Sequence, residues 1–181
     1  MGAAVGAALR ANDVTVLWAS AGRSTASAER ARRSGLEDAG TVSELCRQSG
    51  IVLSICPPHA AVDVARAAGG FTGIYVDANA IAPDTARTIA GLQGRFVDGG
   101  IIGPPPLDAG TTRLYLSGAD AERVARLFAA TNVDAHVISG EPGAASAVKA
   151  AYAGWTKGSA ALLLAVRALA RAEGVEHTLL A

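Results

Sequence analysis

The sequence predicts an α/β protein built on a doubly wound, mostly parallel sheet and followed by a long helix. Three observations lead there. Short β-branched runs alternate with Ala/Arg-rich helical stretches, as repeated strand–helix units do. The run Ile51-Val-Leu-Ser-Ile-Cys56 is apolar except at Ser54, as expected of a strand covered on both faces. From Ala144 to Glu173 there is no Pro, and Gly stands only at 154 and 158. That stretch reads as one helix of about 30 residues, some 45 Å long at the usual rise.

In chain order, residues 3–11 read as an Ala-rich helix broken by Asn12-Asp13, and Val14–Trp18 as the first strand. Ser24–Ser34 is helical. Thr41-Val-Ser-Glu44 carries the signature of an N-cap and capping box for a helix through Gln48. Pro57-Pro58 stops the strand Ile51–Cys56, and His59–Ala68 is a helix. Strand Ile74–Asp77 precedes helix Pro83–Leu92, whose Pro sits in the first turn, where no backbone N–H is required. Arg95–Val97 is a strand. Gly110–Gly118 reads as another, with an alternation and a preceding turn that allow an antiparallel edge. Ala119–Ala130 is helical, and Ala135–Ile138 is the last strand. In the long helix Leu162, Leu163, Leu164, Val166 and Leu169 form a broad apolar face. Being too long to cover a sheet, this helix should leave the first domain. The expected organisation is a sheet domain over 1–142 and the start of a helical domain over 143–181.

Lys+Arg and Asp+Glu balance at 16 each, which removes the electrostatic case for nucleic-acid binding. Cys46 and Cys56 are too few for a disulfide framework and lack metal-ligand spacing, so reduced thiols and no metal are expected. No window supplies about 18 consecutive strongly apolar residues for a membrane span. The Ala-rich start lacks the basic segment and Leu-rich run of a signal peptide. A soluble cytoplasmic protein acting on a small molecule is the expectation.

In open α/β sheets ligands sit beyond the carboxyl ends of the strands, so the turns there are read for chemistry. Met1-Gly2 places a glycine at the head of the first helix, as a phosphate-binding turn does. After the first strand, Ala19-Ser20-Ala21-Gly22-Arg23-Ser24 has no carboxylate to hold a ribose 2′-hydroxyl. Arg23 and Ser24 instead suit a 2′-phosphate through charge-assisted hydrogen bonds; the alternative is a solvated Arg beside a helix-capping Ser. Cys56-Pro57-Pro58-His59 would line a cofactor cleft by backbone and shape, with His59 at a solvated helix start. Asp98-Gly-Gly-Ile-Ile-Gly-Pro-Pro-Pro106 reads as a rigid loop whose bare amides suit a carboxylate or phosphate, or else as a stiff connector. Lys149 lies in an apolar setting near the head of the long helix. It either snorkels to solvent or points into a cleft, where desolvation lowers its pKa toward the acid–base range. Tyr152 and Thr156 follow on the same helix face, and Lys157 is a second cation.

In this order the motifs resemble the β-hydroxyacid dehydrogenase family, which includes 3-hydroxyisobutyrate and 6-phosphogluconate dehydrogenases. The likeness covers nearly the whole chain. The stretch from Lys149, Lys-Ala-Ala-Tyr-Ala-Gly-Trp-Thr-Lys-Gly-Ser-Ala-Ala-Leu-Leu-Leu, is similar to a phosphogluconate dehydrogenase-like branch with its own C-terminal domain. The resemblance implies a Rossmann-like fold binding NADP, with NAD possible, and hydride transfer to or from a small hydroxy acid or carbonyl compound. It puts Met1 and Gly2 at the end of the pyrophosphate loop, and Ser20, Arg23 and Ser24 at the adenosine phosphate. Cys56, Pro57, Pro58 and Asn79 would line the cofactor. Lys149 falls on the catalytic lysine, and Asn79, Gly99, Gly100, Ile102 and Gly103 on substrate-contacting positions. The family's Asn one turn after the lysine is Ala153, and a loop Ser is Ile102, so Tyr152 and Thr156 become substitutes for the lost polar contacts. Replacing buried hydrogen-bond partners by apolar groups abolishes binding of the old substrate, which leaves another carbonyl compound or an imine open.

The resemblance also implies a first strand ahead of residue 1, central in the sheet between Val14–Trp18 and Ile51–Cys56. The expectation is a chain truncated at both ends, with two strands each lacking a neighbour. A homodimer through the helical region is expected; a non-catalytic dimerising remnant is the alternative.

Overall fold

The computed structural model describes residues 1–181. It is an α/β sheet domain from which one long helix projects. The elements are α1 (Gly2–Arg10), β1 (Leu17–Trp18), α2 (Thr25–Arg33), β2 (Glu37–Asp38), α3 (Val42–Gln48), β3 (Ile51–Ser54), α4 (Ala61–Ala67) and β4 (Ile74–Asp77). They continue with α5 (Pro83–Ala90), β5 (Phe96–Ile102), β6 (Thr112–Ser117), α6 (Ala121–Ala125), β7 (Val133–Val137), α7 (Ala144–Ala172) and α8 (Glu176–Leu180).

The sheet is in two pieces. β1 and β2 pair in parallel, and β3-β4-β5-β6-β7 form a five-stranded sheet. β3, β4 and β5 are parallel, β6 is antiparallel to β5, and β7 runs parallel to β6. β1 and β3 share no ladder, so each keeps one unbonded edge, in the place where the sequence order leaves two strands without a neighbour. Helix α1 spans the two pieces. Its Val5 and Leu9 pack in one core with Ile74, Val76 and Leu114, and Val14, Val16, Ile51 and Leu53 lie against that core. The opposite face is a second core of Ala61, Ala65, Tyr75, Ala86 and Ile89. Helices on both faces explain why every residue of β4 and β5 is buried.

Local chemistry sets several helix starts. Ser24 Oγ accepts from Ser27 N at 3.3 Å, and Thr41 Oγ1 from Glu44 N at 3.1 Å, which are N-cap bonds. The reciprocal half of the capping box is absent, because Glu44 is engaged by Gln48 and Arg47 instead. Three expectations need correction. β2 is a strand that no hydrophobic pattern announces, since Glu37 and Asp38 are both exposed. The expected loop after residue 97 is largely strand: Asp98 to Ile102 continue β5 and pair with β6. Finally, β6 is not an edge strand, because β7 lies outside it.

Candidate functional site

The carboxyl ends of β1, β3 and β4, the head of α1 and the flank of α7 supply the candidate site. Gly2 opens α1, and Met1 offers no side-chain cap to its first amides. A Cβ on Gly2 would lie 3.5 Å from Ile55 O, so the head of α1 rests on the segment leading into Cys56, Pro57 and Pro58. Pro57 and Pro58 are exposed there, and a 3-10 turn over Pro58–Ala60 carries the exposed His59. Burial pushes the Cys56 thiol up; the Ser54 bond counters this, Asp77 adds to it, and the Arg23 guanidinium pulls the other way. Arg23 therefore reaches toward Cys56 from the loop after β1. It is exposed and makes no ion pair or side-chain hydrogen bond. Ser24 beside it is engaged as the cap of α2. Ser20 neighbours Asp38, whose carboxyl is held low first by the Gly40 amide and then by Ser20. An uncapped helix N-terminus and an unpaired guanidinium are both groups that could receive the phosphates of a dinucleotide.

Asn79 is engaged within the protein. It is 2% exposed. Its Oδ1 accepts from Cys56 N at 2.5 Å, while Nδ2 donates to Ser54 Oγ at 3.0 Å and to Asp77 Oδ2 at 2.9 Å. Asp77 Oδ1 accepts from Asn79 N at 3.0 Å. The side chain thus locks the end of β4 to the end of β3, and every one of its polar atoms is engaged within the protein. Burial raises the Asp77 carboxyl above its ordinary value, against the pull of the Asn79 hydrogen bonds.

Gly99 and Gly100 lie inside β5, opposite Leu116 and Tyr115. A Cβ on Gly100 would come 2.7 Å from Ala145 O and 3.3 Å from Lys149 Cβ. The bare strand therefore lets α7 approach closely. Ile102 is buried. Gly103 turns the chain at φ +123°, where a Cβ would meet Thr111 O at 2.2 Å. The resulting approach brings Lys149 to β5, where its Nζ donates to Ile101 O. Burial lowers the Lys149 pKa, and the Lys157 charge further along the helix adds to the effect. Tyr152 stands one turn on, with the Arg113 guanidinium 5.8 Å from its ring centroid. The Thr156 hydroxyl is turned back on its own helix, donating to Tyr152 O at 2.9 Å. Ala153 is half-buried between them.

Asp98, in sequence only the head of a Gly/Pro-rich segment, takes a role that its neighbours do not announce. Fully buried, its carboxylate accepts from Gly143 N and Ser146 N at 2.9 Å each and from Ser146 Oγ at 2.6 Å. Partners more than 40 residues away along the chain give no local signal. Cys46 and Cys56 are free thiols, and no group of His, Cys, Asp or Glu could hold a metal ion. No helix is long and apolar enough to cross a membrane.

Helices on both faces of a mostly parallel sheet, with an uncapped helix head at the strand ends and a half-buried ammonium against β5, make up the α/β scaffold of a dinucleotide-type oxidoreductase. Solved structures agree. The conserved protein MTH1747, of unknown function and structurally similar to 3-hydroxyacid dehydrogenases, matches at 33% identity with a TM-score of 0.84, over 98% of this chain and 69% of that one. A conserved hypothetical protein from Sinorhizobium meliloti matches at 25% identity and TM-score 0.78, over 99% and 64%. A reductive aminase from Aspergillus terreus, solved with NADPH, cyclohexanone and allyl amine, shares the fold at 22% identity and TM-score 0.75, over 96% and 63%. No protein-family model and no curated protein matches the chain. The chain belongs to the β-hydroxyacid dehydrogenase family, whose members are NAD(P)-dependent oxidoreductases, and it spans about two thirds of the length of these solved structures.

Proposed function

We propose that this chain forms the core of an NADP-dependent oxidoreductase in which Lys149 moves the proton at the substrate's oxygen or nitrogen. The single observation that carries the reading is Lys149 itself. It is a half-buried cation whose Nζ bonds to a strand carbonyl, and burial lowers its pKa. Such a group exchanges a proton more readily near neutral pH than a solvated lysine does. A bound nicotinamide supplies or accepts the hydride. The chain's own groups do the rest. The Gly2 amide at the head of α1, with the nitrogen of Met1, receives the diphosphate, Arg23 with Ser20 and Ser24 receives a 2′-phosphate, and Cys56, Pro57 and Pro58 form the wall.

Arg23 supports NADP over NAD, because it is an exposed guanidinium with no internal partner. The fold neighbours include a reductive aminase solved with NADPH and an imine reductase solved with NAD+, so NAD is the alternative cofactor. The substrate reading favours a weakly polar ketone, aldehyde or imine. Asn79 is engaged internally, Ile102 and Ala153 are apolar, and Tyr152 is the remaining polar ring beside Lys149, with Gly103 at the rim. A hydroxy acid would need a cation or amide donors for its carboxylate, and Arg113 behind Tyr152 is the candidate. The exposed apolar face of α7 supports a homodimer through that helix.

Two measurements test this. NADPH should quench Trp18, which ends β1, and Arg23→Ala should weaken NADPH about 10-fold or more while leaving NADH unchanged. Against a panel of ketones, imines and small hydroxy acids, Lys149→Ala should lose about 100-fold or more in turnover at unchanged NADPH affinity. Full turnover without the ammonium would remove Lys149 from the chemistry.

A further inference from the structure

We infer that Asp98 is the positioning residue for Lys149: its buried carboxylate seizes the first turn of α7 and so fixes the register at which that helix presents its ammonium. The inference rests on the reading of Lys149 given above.

The geometry is a crosslink between a strand and a helix. One oxygen of Asp98 accepts both the Gly143 and Ser146 amides at 2.9 Å, and the other accepts the Ser146 hydroxyl at 2.6 Å. Ser117, on the neighbouring strand, seconds the contact. Its Oγ accepts from Ala145 N at 3.2 Å and lies 3.5 Å from Asp98 Oδ2. Asp98, Ser117 and Ser146 are all fully buried. No cation pairs with the carboxylate; its neutralisation comes from amides at the positive end of a helix 29 residues long. A buried charge without a counter-ion is expensive unless fully hydrogen-bonded, so this carboxylate tolerates little displacement of α7.

The consequence for Lys149 follows from spacing. Asp98 and Ile101 are three residues apart on β5, and Ser146 and Lys149 are three apart on α7. Asp98 and Ser146 make the clamp, and Lys149 Nζ with Ile101 O makes the second bond one step along both elements. Slipping α7 by one residue would turn Lys149 by about 100° and move it by about 1.5 Å. Gly143 opens the helix in the left-handed region, at φ +104°, so the chain can turn its amide back onto Asp98. Between clamp and ammonium, Gly100 removes the side chain that would hold the helix off.

Lys149 and Lys157 are the chain's only lysines, so selective labelling with 13C-lysine yields two side-chain signals, assigned by Lys157→Arg. Their pH titrations report placement directly, with no substrate or cofactor. In the wild type the Lys149 signal should titrate below the ordinary range of a lysine, as its burial requires. Asp98→Ala, with its fold checked by circular dichroism, should return Lys149 to the ordinary range of a lysine. Asp98→Asn should keep the low titration, because its oxygen still accepts the two amides and its NH2 meets the Ser146 hydroxyl. Ser146→Ala, which removes one bond, should give an intermediate shift and serves if Asp98→Ala does not fold. A Lys149 titration that stays low in Asp98→Ala and Ser146→Ala overturns the positioning role, and so does an Asn variant that behaves like the Ala one. An ordinary titration in the wild type instead defeats the reading of Lys149 itself.

Discussion

Asn79 and Asp77 show how polar side chains can hold strand ends together. Their hydrogen bonds join the ends of two adjacent strands inside the sheet. Asn79→Ala would leave Ser54, Asp77 and the Cys56 amide short of partners, and should cost about 3 kcal/mol in denaturant unfolding. Asp77 also has a signature in pH. Its carboxyl is raised above 3.8 by burial first, so the folded state carries a penalty wherever the group is ionised in both states. As pH falls through the folded-state pKa toward 3.8, the native protein takes up the proton first and that penalty is relieved. The stability of the wild type relative to Asp77→Asn should therefore rise between pH 7 and pH 4; a difference that stays flat would contradict the assignment. Tyr75 presents the opposite case. It is fully buried, and its hydroxyl has no hydrogen-bond partner. Tyr75→Phe removes an orphaned polar atom and should leave the protein as stable as the wild type or about 1 kcal/mol more so.

Among the elements, β5 and α7 set the chemistry. The strand carries glycines where the helix lies on it, and a Cβ at 100 would stand 2.7 Å from Ala145 O. Gly100→Ala should cost about 2 kcal/mol through forced separation, and should raise the Lys149 titration as the ammonium leaves its shelter. The short helices behave more locally. Thr41 caps α3 through Glu44 N, and Thr41→Ala should cost about 1 kcal/mol with no effect on Lys149. Such caps are legible in sequence because donor and acceptor lie within one turn. The Gly-Gly pair of β5 is not. Glycine lowers strand propensity, and it is the ladder to β6 that carries the strand on to Ile102, while the missing side chains let α7 lie on it.

At the scale of the molecule, two features govern behaviour. The sheet is split between β1 and β3, and α1 is the element that bridges it. Amides of β4, paired on both sides and buried, should exchange hydrogen orders of magnitude more slowly than those of the β1–β2 pair. Equal protection would mean that the two pieces open together. The second feature is α7 beyond Tyr152, where Trp155, Leu162, Leu163, Leu164 and Leu169 are all exposed. Apolar side chains in that number seek a partner surface. If the partner is a second copy, Leu162→Asp with Leu169→Asp should turn a dimer into a monomer in sedimentation equilibrium while the sheet domain stays folded.

The fold class, the strand–helix order apart from β2, the caps at Ser24 and Thr41, the long helix α7 and the lysine upon it were all legible in the linear sequence. Each depends on periodicity or on neighbours within a turn, and these survive in one dimension. Tertiary structure alone decided the rest: the two-residue strand Glu37–Asp38, the continuation of β5 through its glycines, the inward engagement of Asn79, and the grip of Asp98 on a helix more than 40 residues away. Those features arise from hydrogen bonds and close approaches between segments distant along the chain, and no local pattern encodes which segments will meet.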